Sequence, residues 1–94
     1  MSKRFNFKVA KLVGPHLRHT RVRRGKSQLW VAYESKTDLS YLSVAERGFH
    51  SLSITKLADL CDVLDIKLSE FFLDLESTIE TGFEAEQILE EQLD

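Results

Sequence analysis

The sequence has few residues that could cross-link the chain or bind a metal. Its 94 residues include one cysteine and one proline, so it has neither a disulfide framework nor a cysteine cluster of the kind that binds zinc. No apolar run approaches the ~20 residues that a membrane-spanning helix needs, and the first residues lack the apolar core of a signal peptide. We therefore expect a cytoplasmic protein without membrane attachment, in which Cys61 is a buried thiol.

Acidic residues are missing from the first third of the chain. Residues 1–33 contain nine lysines and arginines, whereas residues 59–94 contain twelve acids and Lys67 as the single base, although the formal net charge of the chain is -2. Such segregation predicts one end that binds an anion and one acidic end. The alternative is that these charges lie on solvated faces without a partner, or attract each other across subunits.

Strand patterns are nearly absent, and the apolar residues follow the spacing of short helices. Pro15 directly after Gly14 is typical of the first turn of a helix, which then ends near Gly25. Gly48 is a second stop signal, because glycine is favoured just beyond a helix. The four later helices of the core each have a residue suited to cap the N-terminus: Ser27, Asp38, Ser53 and Ser69.

These segments predict a single all-α domain of five or six helices. We expect a basic N-terminal arm over residues 1–12, a helical domain over residues 13–75 and an acidic amphipathic helix over residues 76–94. The apolar side of that last helix could close over its own core or cross a dimer interface. Two capping-box patterns indicate its start: Ser77/Glu80 and Thr81/Glu84.

The second and third helices, over residues 27–34 and 38–47, are separated only by a short turn. Such a pair can present its second helix to the major groove of DNA. The stretch "VGPHLRHTRVRRGKSQLWVAYESKTDLSYLSVAERG" resembles the XRE family of Cro and phage-repressor-like helix-turn-helix proteins, in its G-x-x-L-R-x-x-R, S-Q and Y-L-S-x-x-E-x-G elements. The resemblance covers residues 13–72, and "DLSYLSVAERG" is most similar to restriction-modification controller proteins.

The resemblance implies a phage-repressor-like fold and a set of DNA contacts. Gln28 matches a glutamine that binds a phosphate, and Arg21 and Glu46 match a buried ion pair between the first and third helices. The positions that match base-contacting residues are Asp38, Leu39, Ser40, Ser43 and Val44. The positions near the DNA backbone are Tyr41, Arg47 and His50, and Lys36 lies in the turn between the two helices.

Two departures from the family pattern affect these expectations. Lys36 replaces the usual turn glycine, so either a non-glycine residue adopts a positive φ there or the turn differs. The recognition helix also lacks Arg, Asn and Gln, the side chains that make bidentate contacts to purines. Direct readout should therefore depend on thymine methyls, on serine hydroxyls and on Asp38, with a contribution from DNA shape.

Some residues are not explained by the helix-turn-helix. Leu29, Trp30 and Tyr33 lie where the family is polar, and we expect them to pack with Phe5 and Phe7, with a protein partner at Trp30 as the alternative. His16 and His19 share a helical face, but no third ligand accompanies them. We therefore expect exposed histidines near a basic patch, no metal and no cofactor.

The sequence thus predicts a transcriptional regulator that binds double-stranded DNA as a homodimer, and no enzyme. The expected dimer interface lies after Gly48, at Leu60, Leu68 and Phe72, because this half has surplus apolar residues and is too acidic to approach DNA. One alternative is an antitoxin-type module that binds a toxin through the acidic tail or Trp30 and regulates its own gene. A second is a repressor-like fold that has lost DNA binding.

Overall fold

The computed structural model of the protein describes residues 3–81, with side chains from residue 9 onward, and every regular element in that range is an α-helix. The bounds of the five helices are α1 Lys3–Arg23, α2 Gln28–Ser35, α3 Leu39–Glu46, α4 Ile54–Val63 and α5 Leu68–Thr81. The predicted all-α class and the helix-turn-helix formed by α2 and α3 are confirmed. No helix in the described range is long and apolar enough to cross a membrane.

Three of the four predicted N-caps form. The side chains of Ser27, Asp38 and Ser53 each accept a hydrogen bond from the backbone N–H three residues later, at 3.0, 2.9 and 3.0 Å. Each bond satisfies a donor that the helix itself leaves free. Ser69 is wrong as a cap, because α5 already begins at Leu68 and Ser69 lies in its first turn.

Helix α1 begins earlier than the sequence indicated. It starts at Lys3 and contains Pro15 in its interior, so Pro15 is not a first-turn residue and residues 3–12 continue the helix rather than forming a separate arm. A proline in a helix interior loses one hydrogen bond to the preceding turn. The helix persists because Leu12, Pro15 and Leu17 are all buried against the rest of the molecule, and their burial offsets the missing bond.

Helices α1 and α3 approach each other at Gly14. A Cβ atom added to Gly14 would lie 1.7 Å from the carbonyl oxygen of Ala45, a distance that no side chain tolerates. The absence of a side chain at Gly14 therefore allows α3 to pack backbone to backbone against α1. This contact sets the position of the helix that the sequence assigns to DNA.

The core lies among all five helices and includes Cys61, as predicted. Burial raises the pKa of the Cys61 thiol to about 11. Leu60 is 0% exposed and has no surface to offer a second subunit, so its assignment to a dimer interface is wrong. The other two interface candidates, Leu68 and Phe72, are partly buried at the edge of the core.

Helix α5 extends past residue 75 without interruption to Thr81. The predicted cap at Ser77/Glu80 is therefore wrong, and residues 76–81 belong to α5. The helix continues because Thr78 and Ile79 are buried, and the Thr78 hydroxyl donates to the Asp74 carbonyl within the helix at 3.0 Å. The rest of the predicted sixth helix, with the Thr81/Glu84 pattern, lies outside the described residues.

Candidate nucleic-acid interface

Helix α3 separates a buried side from an exposed side. Leu42 and Ala45 are completely buried, whereas Leu39, Ser40 and Tyr41 are exposed and Ser43 and Val44 are half-buried. The residues that the family resemblance assigns to base edges thus lie on the accessible side of the helix. Their contact with DNA stays a prediction.

The N-terminal end of α3 is fixed by its cap and by the preceding turn. Asp38 Oδ1 accepts from the Tyr41 N–H, which leaves the second carboxylate oxygen of this exposed residue for a base such as cytosine. Lys36 adopts the left-handed conformation, with φ 56° and ψ 43°. A non-glycine residue therefore accepts a positive φ in this turn, which was one of the two alternatives that the sequence left open.

Helix α4 holds the turn in place. Lys56 Nζ donates to Thr37 Oγ1 at 3.2 Å. The Thr37 hydroxyl lies 2.8 Å from Ser35 Oγ, to which it can donate because the Ser35 hydroxyl itself donates to the Val31 carbonyl at 2.7 Å. These bonds connect the turn between α2 and α3 to an element outside the helix-turn-helix. The exposed Lys36 side chain is thereby presented from an anchored backbone.

The residues expected near the DNA backbone form two aromatic contacts beside α3. The rings of Tyr41 and His50 lie 4.4 Å apart between centroids. The Arg47 guanidinium lies 5.3 Å above the ring of Phe49, a geometry typical of a cation–π contact. Phe49 is an exposed aromatic side chain that the sequence did not assign to the site, although it directly follows the stop glycine.

The predicted ion pair between Arg21 and Glu46 is present and buried. Arg21 Nε donates to Glu46 Oε2 at 2.8 Å, and Nη2 donates to Oε1 at 3.0 Å. The third guanidinium nitrogen, Nη1, donates to the Lys26 carbonyl at 2.8 Å. Gln28, expected only at a phosphate, also joins this pair: its Nε2 donates to Glu46 Oε1 at 2.9 Å. Sequence spacing gave no signal for this last contact.

His16 contradicts the expectation of an exposed histidine. It is 1% exposed, with its ring edge-on to Phe71 at 5.1 Å and its Nε2 3.0 Å from Asp74 Oδ2, although the contact is not aligned as a hydrogen bond. Burial lowers the pKa of His16, while the Asp74 carboxylate acts in the opposite direction. His16 faces α5 because it lies one turn after the buried Leu12 on the same side of α1.

The apolar residues of α2 remain accessible. Leu29 is 67% exposed, Tyr33 is 80% exposed, and Lys26 Nζ lies 4.5 Å above the Trp30 ring. Among the described residues, no packing covers Leu29 and Tyr33. The side chains of Phe5 and Phe7, their expected partners, lie outside the described residues.

No family model and no curated protein sequence matches this chain. Solved structures do. The wild-type restriction-modification controller protein C.Esp1396I has a TM-score of 0.71 and 28% identity, over 76% of this chain and 93% of that chain. A variant of it, with phenylalanine in place of a tyrosine, has a TM-score of 0.71 and 27% identity, over 76% and 90%.

A second regulator has the same architecture. The clp gene regulator ClgR from C. glutamicum has a TM-score of 0.68 and 26% identity, over 73% of this chain and 88% of that chain. These neighbours are regulators rather than enzymes, which supports a regulatory role. They confirm the resemblance that was inferred from the sequence motif. Over about three quarters of its length, the chain is similar to the XRE-like helix-turn-helix regulators.

Proposed function

We propose that the protein is a sequence-specific transcriptional regulator that binds double-stranded DNA as a cytoplasmic homodimer. The observation that carries this proposal is the two-sided geometry of α3, which is anchored by Leu42, Ala45 and the close contact at Gly14. An accessible helix on a rigid support is what insertion into a major groove requires. The similarity to two solved regulators supports the same conclusion.

Charge supports the choice of DNA as the partner. The exposed cations around the helix-turn-helix include Arg23, Arg24, Lys26, Lys36 and Arg47. Neutralising phosphates with such side chains supplies most of the affinity of a DNA-binding domain, independently of sequence. Gln28 at the start of α2 adds a neutral donor that suits a phosphate oxygen.

Sequence preference should come from weak direct contacts combined with DNA shape. The accessible side of α3 offers Leu39 and Val44 to thymine methyls, and Ser40 and Ser43 as small hydroxyls. None of these makes a bidentate bond to a base. We therefore infer an operator in which deformability at base pairs that the protein does not touch contributes to specificity.

The homodimer is proposed through the second half of the chain. Leu68 and Phe72 are partly buried, and on the same helix Leu73 is 70% exposed, so α5 still presents apolar surface. A two-fold contact there would orient both α3 helices toward one side of the duplex, with half-sites about 34 Å apart. We therefore assign Leu73 to the proposed dimer interface, instead of the buried Leu60.

The proposal is tested by selecting bound fragments from random DNA and measuring retardation of the selected duplex. We expect an enriched sequence with two-fold symmetry and a complex that contains two protomers per duplex. Failure to retard any fragment at low salt would support the alternative of a repressor-like fold without DNA binding. Retardation without enrichment of a sequence would remove the claim of specificity.

The exposed residues of α2 favour a second candidate function, in which a protein partner such as a toxin binds at Leu29, Trp30 and Tyr33. Apolar side chains grouped on a surface are typical of interaction sites. Under this proposal a small protein copurifies with the unmodified chain from its native host, but does not copurify with the Tyr33→Asp variant. DNA binding by Tyr33→Asp should stay intact, because the α3 surface is unchanged.

A further inference from the structure

The Gln28 side chain turns from the start of α2 toward the buried end of α3. Its Nε2 donates to Glu46 Oε1 at 2.9 Å, the oxygen that also accepts from Arg21 Nη2 at 3.0 Å. Arg21 in turn donates to the Lys26 carbonyl before α2 at 2.8 Å. One carboxylate therefore connects α1, α2 and α3 at the point where a phosphate contact is proposed.

These partners determine how the Gln28 amide is oriented. A carboxylate can only accept hydrogen bonds, so the amide NH2 group, and not the amide oxygen, must face Glu46. An NH2 group has two N–H donors, and Glu46 takes one of them. Because Gln28 is only half-buried, the second donor can reach a ligand at the surface.

The charge of Glu46 would oppose a phosphate if it were not balanced. The Glu46 side chain is 1% exposed and makes two hydrogen bonds to the Arg21 guanidinium. Charge-assisted bonds in this paired geometry are strong, and the positive charge of Arg21 offsets the field that Glu46 would otherwise exert on an approaching anion. The Glu46 carboxylate can therefore lie beside a phosphate-binding site without repelling the phosphate.

We propose that Glu46 is a positioning residue for DNA binding, which holds the Gln28 amide in the orientation that donates to a DNA phosphate. This inference rests on the proposed function and deepens it, since it assigns to a buried residue an effect on affinity as well as on stability. A side chain held in its binding orientation loses less conformational freedom when the ligand arrives.

The test compares variants of the full chain for binding to the selected duplex and to a random duplex, at a temperature where circular dichroism shows each variant folded. Gln28→Ala removes the donor, Glu46→Met removes the acceptor, and the double variant removes both. Glu46→Gln is the matched control, because it removes the same negative charge while its amide oxygen still accepts from Gln28.

We expect Gln28→Ala and Glu46→Met each to weaken binding to both duplexes by about tenfold, the usual effect of a hydrogen bond to a charged group. The double variant should bind no more weakly than either single variant, since both remove one contact. Glu46→Gln should bind at least as tightly as the unmodified chain. The sign of the Glu46→Met effect is diagnostic, because loss of a negative charge alone would strengthen binding to DNA.

Three outcomes would overturn the proposal, and each has a different meaning. Folded Glu46→Met that binds as tightly as Glu46→Gln, or a loss that adds to that of Gln28→Ala, shows that Glu46 does not act through Gln28. Wild-type affinity of Gln28→Ala shows that Gln28 makes no phosphate contact, although the protein still binds DNA. Absence of DNA binding by the unmodified chain removes the proposed function itself.

A second measurement applies if Glu46→Met does not fold. In nuclear magnetic resonance spectra of the unmodified full chain, the two side-chain N–H protons of Gln28 should differ in protection from exchange with water, because one of them is bonded to Glu46. Addition of the selected duplex should shift the less protected proton. Equally rapid exchange of the two protons with water would contradict the proposal.

Discussion

Gly14 of α1 lies so close to Ala45 of α3 that a Cβ atom on Gly14 would stand 1.7 Å from the Ala45 carbonyl oxygen. We expect Gly14→Ala to push the two helices apart and to lower the free energy of unfolding by at least ~1–3 kcal/mol, the range for overpacked sites. Urea unfolding followed by circular dichroism measures this change.

Gly25→Ala is the matched control for that substitution. Gly25 has φ +69°, and a Cβ atom built on it would meet nothing within 4 Å, so its replacement costs only backbone strain, roughly 1 kcal/mol. A Gly14→Ala variant as stable as Gly25→Ala would contradict the close contact between α1 and α3.

Removal of Glu46 should be among the most destabilising single changes in the domain. Glu46→Ala leaves the guanidinium of Arg21, whose side chain is 10% exposed, without its anionic partner, and breaking a buried pair in this way costs about 3–5 kcal/mol. A thermal melt should show a large decrease in Tm. Glu34→Ala, which removes an exposed acid of α2, should leave the Tm nearly unchanged. An unchanged melt for Glu46→Ala would show that the pair contributes little.

The stability of the fold should decrease as the solution becomes acidic, because of His16. Burial lowers its pKa below the ordinary value of 6.5, and His19 and Arg23 lower it further, against the opposing effect of Asp74. The folded state therefore favours the neutral imidazole of His16. The contribution of His16 to the free energy of unfolding is present above about pH 6.5 and is lost as the pH falls through the folded pKa.

Urea unfolding at about pH 7.5 and about pH 5.5, on either side of the ordinary histidine pKa, measures this loss. His16→Leu should reduce the difference between the two pH values, whereas His19→Gln, at a half-buried position, should largely retain it. A stability that rises toward acid through His16 would show that the ion pair with Asp74 outweighs burial.

Affinity for DNA should fall steeply with salt. Each phosphate neutralised by a lysine or arginine contributes about -0.9 to the slope of log K against log salt concentration. Lys36→Gln should make the slope less negative by about that amount, because Lys36 is exposed in the anchored turn. Lys67→Gln, in the acidic half of the chain, should not change it. Fluorescence anisotropy of a labelled duplex measures both slopes, and a flat response of the unmodified chain would exclude phosphate contacts as the main source of affinity.

The proposed dimer is tested by placing a charge on the exposed side of α5. Leu73→Asp should give a folded monomer with weakened operator binding, since burial of a leucine at an interface contributes ~1.5–3 kcal/mol. Leu29→Asp is the control, because Leu29 is a leucine of similar exposure on α2. Analytical ultracentrifugation measures whether each variant is a monomer or a dimer, and Leu29→Asp should remain a dimer. If Leu73→Asp remains dimeric, the interface lies elsewhere.

The parts of this fold that depend on neighbours in sequence could be predicted. The caps at Ser27, Asp38 and Ser53 follow from side-chain oxygens that bond to the backbone three residues later, and Gly25 and Gly48 both have positive φ, as expected after a helix. The accessible side of α3 also follows from helical spacing. The ion pair between Arg21 and Glu46 came from the family motif, since the two residues are far apart in sequence.

The errors concern residues whose environment is set by distant parts of the chain. Pro15, His16 and Leu60 are each buried by helices other than their own, and local patterns carry no information about that burial. The start of α5 at Leu68 rather than at Ser69 is a smaller error of the same kind, because packing of Phe71 in the core fixes the helix. The hydrogen bond between Gln28 and Glu46 depends on the relative placement of α2 and α3 and had no signal in the sequence.

The cation of Lys26 above the ring of Trp30 has a practical consequence, because Trp30 is the only tryptophan of the chain. Its emission therefore reports on a single place, the first turn of α2, next to the proposed phosphate contact. A DNA phosphate that attracts Lys26 away from the indole would change the Trp30 fluorescence. Binding of an unlabelled duplex could therefore be followed by the emission of this one side chain. Emission that changes with DNA in the unmodified chain but not in Lys26→Met would identify this lysine as the source of the signal.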